Sequence, residues 1–135
     1  MKPGAWITLS LVLMAPAFGA SDLASLIGLP VTGSVLVATS PNRGASPLDV
    51  ALSVAGSFEG ARQLIVQTNE GAESPSASRV IVIRDGLLDD AVRTERWDIA
   101  LTRTAAGTWE ISKVTKAWRC WRGAKTVGFA AQPCP

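Results

Sequence analysis

The sequence predicts an α+β domain, in which a curved antiparallel sheet of about five strands carries one main helix on one face and ends in a long C-terminal hairpin. Three observations lead to this class. Residues 89–120 alternate between apolar and polar side chains on both sides of a glycine-containing turn, which is typical of a hairpin. Residues 46–56 carry helix-capping residues at both ends. The links between the later apolar stretches are short, which favours antiparallel neighbours.

The hairpin prediction starts from an apolar alternation. Trp97, Ile99 and Leu101 occupy every second position, and Trp109 and Ile111 continue this spacing after the turn. Both strands are rich in β-branched residues and tryptophan, which suit a pleated, half-buried surface. Because opposed residues share a face of the sheet, we expect Leu101 to lie opposite Trp109 and Ile99 opposite Ile111.

This register predicts a three-residue loop, residues 104–106, with Gly107 in the left-handed conformation of a G1-type bulge. In the second strand, the apolar positions change from odd to even numbers at Val114. Either a bulge near residues 112–113 swaps the two faces, or the end of the strand is covered on both sides. We favour the bulge, because long strands on curved sheets need one.

Capping residues predict the main helix at residues 46–56. Ser46 suits the N-cap, Pro47 the first helical position, Asp49 the third position after the cap, and Gly56 the end. The even-numbered residues from 48 to 54 also alternate like a strand, but the caps favour the helix. The stripe expected to pack on the sheet consists of Leu48, Ala51, Leu52 and Ala55.

The remaining elements are predicted from apolar runs and from the turn-forming residues between them. We expect Arg79–Arg84 to be an interior strand, because its middle is continuously apolar. Two polar, Gly/Pro/Ser-rich stretches, residues 40–44 and 69–78, are predicted loops. The other predicted elements are a short helical turn at Asp22–Ile27 and strands at Val31–Thr39 and Arg62–Thr68.

Residues 1–20 are typical of a secretory signal peptide, which leaves residues 21–135 as a single exported domain in the periplasm or outside the cell. Lys2 precedes a mostly apolar stretch, and small residues follow between positions 15 and 20. Cleavage after Ala17 or Gly19 fits the small-residue rule better than cleavage after Ala20. A membrane anchor is the alternative, but the apolar core falls short of the roughly 20 residues that a span needs. A lipoprotein anchor is excluded, because no cysteine follows the leader.

The net charge of the exported part indicates which kinds of partner to expect. Of the 13 lysines and arginines, Lys2 lies in the leader, and the others nearly balance 11 acidic residues, so the exported part has a net charge near +1. Such a balance argues against bulk electrostatic attraction to nucleic acid or to an acidic membrane. We therefore expect no nucleic-acid partner and no stable membrane insertion once the leader is cleaved.

The two cysteines, Cys120 and Cys134, both lie in the exported part. In an oxidising compartment they are expected to pair, which ties the C-terminal tail to the last strand. A metal site is the alternative, but two cysteines with no histidine in the sequence do not supply an ordinary zinc ligand set. We expect neither a metal nor a cofactor.

The residue types present disfavour catalysis. Without histidine, the commonest general base and the Ser-His and Cys-His nucleophile systems are absent, and no phosphate-binding glycine motif occurs. Asp89, Asp90, Glu95 and Asp98 are close in sequence and could form a carboxylate pair. On an antiparallel strand such residues more often form a solvated face with weak ion pairs, so no catalytic residue is predicted.

The candidate binding residues are Trp118, Arg119, Trp121 and Arg122, which flank Cys120. Arginines can hold a carboxylate or phosphate and tryptophans can stack, so this end could recognise a protein or an anionic ligand. In the alternative, Trp118 caps the core, Trp121 shields the disulfide and the arginines stack over them in solvent.

The acidic-led strand Asp90–Arg103, the return at 107–111 and the tail at 120–134 follow a leader and one helix. Together they resemble small secreted bacterial domains of cystatin-like or NTF2-like shape. Enzymes of NTF2-like shape place acid–base groups in a cone-shaped cavity, and Asp98 is the comparable carboxylate, on the face opposite Trp97 and Ile99. We expect a non-catalytic exported accessory or binding module. The alternative is an NTF2-like small-molecule-binding or enzymatic domain with an internal pocket beside Asp98 or Asp90.

Overall fold

The computed structural model describes residues 20–132 and 134–135. The predicted leader therefore lies outside the described residues, apart from Ala20. The elements are α1 (Ala20–Ser25), a turn of 3-10 helix (Leu26–Gly28), β1 (Val35–Leu36), β2 (Arg43–Gly44), α2 (Pro47–Ala55), β3 (Arg62–Asn69), β4 (Ala77–Asp85), β5 (Val92–Arg103) and β6 (Trp109–Cys120).

The strands form one antiparallel sheet in the order β1-β6-β5-β4-β3, and β2 also pairs with β6. The α+β class is confirmed. The sheet has six strands rather than about five, and two of them are only two residues long. β4 is interior, as its apolar sequence predicts, and six consecutive residues of it, 80–85, are buried.

The α2 helix confirms the capping interpretation. The Ser46 side chain accepts a hydrogen bond from the Asp49 N–H at 3.5 Å, and Pro47 occupies the first helical turn. At the other end, Gly56 adopts φ 71°, a conformation that residues with a Cβ rarely take. The side-chain cap and the proline stabilise the start of a helix, which favours the helix over the alternative strand.

The predicted stripe of α2 omitted Val50, which is 2% exposed. β2 passes so close to this side of the helix that a Cβ on Gly44 would lie 2.8 Å from Val50 Cγ2. The segment 40–44 was predicted to be a loop, and that prediction is wrong for Arg43 and Gly44. Because β2 covers a second side of α2, the helix buries more than its sheet-facing stripe.

Apolar side chains cover both faces of the sheet. On the first face, α2 packs on a core formed by Val50, Ala51, Ala55, Val80, Val82, Ile99, Leu101, Trp109 and Val114. On the second face, the N-terminal segment and the C-terminal tail pack on a smaller core formed by Leu26, Ile81, Ile83, Ala117 and Phe129. Because both faces are covered, the interior strands are buried on both sides.

The hairpin forms as predicted, but with a different register. Leu101 pairs with Ile111, and Arg103 pairs with Trp109, a shift of two residues from the predicted pairing. The loop is residues 105–107, closed by the Thr104 N–H donating to the Thr108 carbonyl at 2.8 Å, and Gly107 has φ 83°. A shift of two keeps every side chain on its face, so the apolar alternation cannot distinguish the two registers.

The predicted bulge in the second strand is present. Ala100 pairs with Lys113 while Leu101 pairs with Ile111, which leaves Ser112 as the extra residue. Beyond it, Val114 faces the α2 core together with Ile99. A second register shift lies between Val92 and Thr94 at the start of β5.

The first predicted strand, Val31–Thr39, is only partly paired. Val35 and Leu36 form the β1 ladder with β6, and the Val37 N–H donates to the Val114 carbonyl at 2.9 Å. Val31 instead forms an isolated bridge with Phe129 in the tail. This segment therefore runs along the edge of β6 and then across to the C-terminal tail.

Candidate functional site

The four candidate binding residues do not form one continuous patch. Trp118 and Arg119 are neighbours in β6, so their side chains point to opposite faces of the sheet. Trp118 lies on the α2 face, where the Lys116 ammonium is 5.5 Å from its ring centroid. Arg119 lies on the other face and is only 8% exposed. Burial thus separates Arg119 from the two candidates that follow Cys120.

Arg119 belongs to an ion-pair network around Asp85, which is 2% exposed. Its Nε donates to Thr94 Oγ1 at 3.1 Å, and its Nη2 donates to Asp85 Oδ1 at 3.2 Å. Thr94 Oγ1 also donates to Asp85 Oδ1 at 2.6 Å, and Arg62 donates to Oδ2. The Arg93 guanidinium lies 3.7 Å from the same carboxylate. We call Asp85 and these four partners the Asp85 network.

The pKa values within this network follow from opposing effects. Burial alone would raise the pKa of Asp85, but hydrogen bonds from Thr94 and Arg62 and the charges of Arg62 and Arg119 lower it overall. Burial lowers the pKa of Arg119, as does the nearby charge of Arg93. Asp85 is therefore a carboxylate held in its ionised form, which suits a structural role better than proton transfer at neutral pH.

Trp121 and Arg122 remain at the surface. The Trp121 side chain is 43% exposed, its Nε1 donates to the Asp89 carbonyl at 3.0 Å, and the Arg93 guanidinium stacks 5.1 Å from its ring centroid. Arg122 Nη2 donates to the Asp90 carbonyl at 3.5 Å. We define the Trp121 surface as Trp121, Arg93 and Arg122. It places one tryptophan beside two guanidinium groups, and the arginine that stacks on Trp121 is Arg93, not Arg119.

The disulfide between Cys120 and Cys134 is confirmed, with Cα atoms 5.5 Å apart. It closes the tail onto the end of β6. Within the tail, the Cys120 N–H donates to the Lys125 carbonyl at 2.9 Å, and Trp118 forms an isolated bridge with Ala130. These contacts fix the chain on both sides of Trp121 and Arg122.

A second buried network lies at the C-terminal end of α2. Arg84 Nη1 donates to the Ala55 carbonyl at 2.7 Å, and Nη2 donates to the Gly56 carbonyl at 2.5 Å. These carbonyls belong to the end of the helix, where backbone acceptors lack helical partners. Glu95 lies 3.3 Å from Arg84 Nη1 and 2.7 Å from Lys116 Nζ. Arg84 is therefore a side-chain cap that ties the helix to β4 and β5.

The expectation of a solvated acidic face is wrong for Glu95, whose side chain is 13% exposed. Burial raises its pKa, but the hydrogen bond and charge of the Lys116 ammonium, with the charge of Arg84, outweigh burial and lower the pKa overall. The ring of Trp97 also lies under the Lys116 ammonium, with 4.3 Å to its centroid. Burial of a carboxylate here is possible because two cations accompany it.

The other three acidic residues of this region have separate roles. Asp89 Oδ1 accepts the N–H groups of Ala91 at 2.8 Å and Val92 at 2.7 Å, which forms the turn into β5. Asp90 is exposed. Both oxygens of Asp98 accept hydrogen bonds from Arg79. The four carboxylates therefore do not form a pair, and no group of acidic or cysteine side chains in the described part of the chain could hold a metal.

A cavity of about 150 Å³ lies beside Asp98 on the face opposite α2. The N-terminal segment forms one wall, and β4, β5 and β6 form the floor. Its lining residues are Val31, Ser34, Arg79, Arg96, Asp98, Thr115 and Ala117. Within this cavity, both oxygens of Asp98 accept hydrogen bonds from Arg79.

Comparison with known proteins gave no match, whether to a protein-family model, a curated protein sequence or a solved structure. The resemblance to cystatin-like or NTF2-like domains stays a prediction. Across residues 20–132 and 134–135, no helix has the length and apolar character needed to cross a bilayer.

Sequence reasoning missed Asp85 and Arg84 as members of buried networks, and it missed the burial of Arg96. Arg84 and Asp85 end the apolar run of β4, where charged residues usually mark the edge of the buried part. For Arg96, the alternation in β5 indicates the face opposite Trp97. The segments that cover this face are far away in the sequence, so the alternation does not show that the face is buried. Its burial depends on packing between distant parts of the chain.

Proposed function

We propose that this chain is an exported, non-catalytic binding or accessory module, located in the periplasm or outside the cell, that docks a partner at the Trp121 surface. The leader pattern supports export, and the Cys120–Cys134 disulfide is typical of oxidising compartments. Within that class, the position of Trp121 is the observation that carries the proposal.

Trp121 has the properties of a recognition residue. Its ring is partly exposed, yet the Asp89 carbonyl holds its N–H and Arg93 covers one side of the ring. An aromatic side chain held in one orientation loses little further entropy when a partner covers it. Tryptophan and arginine are also the residues most often found at the energetic centres of interfaces.

The charge of this surface indicates the chemistry of the partner. Arg93 and Arg122 both carry guanidinium groups, and the hydrogen bond of Arg122 to Asp90 is long and exposed. Guanidinium groups recognise carboxylates through paired hydrogen bonds. We therefore propose a protein partner that presents carboxylates around an apolar contact for Trp121, and no nucleic acid or membrane.

The state of the carboxylates supports a non-catalytic role. Asp85 and Glu95 have lowered pKa values, so neither is an effective proton acceptor or donor near neutral pH. Asp98 is bound on both oxygens by Arg79. With no histidine in the sequence, these side chains supply ion pairs rather than acid–base catalysis.

Site-specific photo-crosslinking in the producing cells tests the docking surface. A photoreactive residue in place of Ala124, an exposed residue next to the Trp121 surface in the chain, should give a discrete crosslinked product, and the same residue in place of Leu36, which is 72% exposed on β1, should not. Trp121→Ala should remove the product while the thermal melt still shows a cooperative transition. Equal products from both positions, or a product that survives Trp121→Ala, would reject this surface.

A second function is favoured by the cavity beside Asp98. We propose as the alternative that the chain binds a small ligand on the sheet face opposite α2. The cavity is smaller than the roughly 300–1,000 Å³ of drug-sized ligand sites, so the ligand would have few atoms. Equilibrium dialysis against small acids distinguishes this alternative from docking at the Trp121 surface, because the two sites have no residue in common.

A further inference from the structure

The pocket beside Asp98 is small. Its volume of about 150 Å³ is well below the roughly 300–1,000 Å³ of drug-sized ligand sites. Its lining is largely polar: two arginines, one aspartate, one serine and one threonine accompany Val31 and Ala117. A pocket of this size and polarity fits a small polar ligand better than a drug-sized one.

The lining carries more positive than negative charge. Asp98 is its one acidic residue, facing two guanidinium groups. Both Asp98 oxygens accept hydrogen bonds from Arg79, from Nε at 2.7 Å and from Nη2. Arg96 Nη2 lies at 4.0 Å from Asp98, beyond hydrogen-bond distance. Asp98 is therefore shared between two cations: it binds Arg79 through both oxygens and forms a longer ion pair with Arg96, so the two arginines exceed its charge by one.

Arg96 is unusual because it is buried with few partners. Its residue is 9% exposed, and Nη1 donates to the Ile27 carbonyl at 3.1 Å. Its guanidinium carbon lies 5.8 Å from the centroid of the Phe129 ring. A guanidinium has five N–H donors, and Arg96 uses one of them within the described residues; its other nitrogens are accessible to solvent, so a ligand in the cavity can reach them.

The electrostatic balance agrees with this geometry. Burial lowers the pKa of Arg96, and the charge of Arg79 lowers it further, against the opposing charge of Asp98. For Arg79, the hydrogen bonds that it donates to Asp98 outweigh burial and raise its pKa. A bound anion would supply to Arg96 the compensation that Asp98 supplies to Arg79.

Two hydroxyls of the lining are also free to bind. Thr115 lies opposite Asp98 in the β5–β6 ladder, and Ser34 lies on the N-terminal wall. We propose that this cavity binds a small oxyanion, with the Arg96 guanidinium as its main ligand and the Ser34 and Thr115 hydroxyls as additional donors. The class includes inorganic phosphate, sulfate and short carboxylates, since a guanidinium pairs with all of these oxygens.

This proposal deepens the alternative of small-ligand binding and is independent of the Trp121 surface. Loss of the oxyanion site would leave the docking proposal standing, and loss of the crosslinked product would leave the oxyanion site standing. The oxyanion site needs no catalytic step.

Isothermal titration calorimetry of the purified protein with phosphate, sulfate and acetate, each at constant ionic strength in chloride, tests the site. We expect saturable one-to-one binding of at least one of the three. Arg96→Gln should weaken it at least tenfold, and Thr115→Val, which removes the hydroxyl but keeps the shape, should weaken it severalfold. Arg43→Gln is the matched control, because Arg43 is an exposed arginine paired with Glu110 and should leave the affinity unchanged.

Three results would overturn the proposal. The first is the absence of saturable binding by the wild-type protein for all three anions, which would make Arg96 a purely structural cation. The second is an Arg96→Gln variant that binds as tightly as the wild type. If that variant does not fold, Thr115→Val and Ser34→Ala decide the question, and unchanged affinity in both is the third overturning result.

Discussion

Replacing Arg119 with methionine removes a buried cation while keeping a long, unbranched side chain in its place. Arg119 is 8% exposed and donates to Thr94 Oγ1 and Asp85 Oδ1. After the change, Asp85 keeps Arg62 and Thr94 but loses one of its two closest charges. We expect the protein to fold with a clearly lower free energy of unfolding.

The magnitude follows from the partners that remain. Removing one partner of a buried ion pair costs about 3–5 kcal/mol when the other charge is left alone. Because Arg62 still pairs with Asp85, we expect the low end of that range, about 3 kcal/mol. For a domain of this size that corresponds to a fall in Tm of about 10–15 °C.

Thermal and urea unfolding followed by circular dichroism measures this change, and Arg122→Ala provides the control. Arg122 is exposed, so its loss should change the free energy of unfolding by less than about 0.5 kcal/mol. In a double-mutant cycle, Asp85→Asn should couple to Arg119→Met by about 1–3 kcal/mol. A Tm of the Arg119→Met variant within about 2 °C of the wild-type value would contradict a role of Arg119 in a buried network. The prediction that Arg119 takes part in surface recognition would then stand again.

Further outcomes are expected for the disulfide, the pH dependence of stability and the hairpin loop. Reduction of the Cys120–Cys134 bridge should lower the free energy of unfolding by about 3 kcal/mol, and a thiol reagent should find no free thiol in unfolded, unreduced protein. Stability should be nearly flat from pH 6 to 8 because the sequence has no histidine. Below about pH 4, the free energy of unfolding should fall. The pKa values of Asp85 and Glu95 are lower in the folded than in the unfolded protein, so these carboxylates stabilise the fold at pH values above their unfolded-state pKa, and protonation at lower pH removes this contribution. Gly107→Ala should cost about 1–2 kcal/mol in urea unfolding, since φ is 83° there, and no loss would contradict the loop geometry.

Short sequence patterns predicted the α2 helix and the bulge in β6, because a few neighbouring residues determine each of these features. Ser46, Pro47 and Gly56 defined the helix, and the change from odd to even apolar positions near Val114 located the bulge at Ser112. Each of these features depends on a few neighbouring residues. Pattern alone is therefore sufficient for them.

Features that depend on distant contacts were not predicted. The hairpin register differs by two because either pairing keeps Leu101 and Trp109 on the buried face, and the turn, not the pattern, decides between them. The burial of Arg119 and Glu95 depends on cations and carboxylates of other strands. A charged residue on a strand looks the same in the sequence whether it faces water or a buried partner.

The most direct test of the non-catalytic role is a carbon-detected NMR titration of the side-chain carboxyl groups of Asp85 and Glu95. Both are held by arginine or lysine side chains, which lower their pKa values. We predict that both carboxyl signals titrate below the ordinary range of about pH 4, and that neither shifts between pH 6 and 8 beyond the small effects of neighbouring groups. A midpoint near neutral pH for either residue would reveal a carboxyl group poised for proton transfer and would contradict the non-catalytic role.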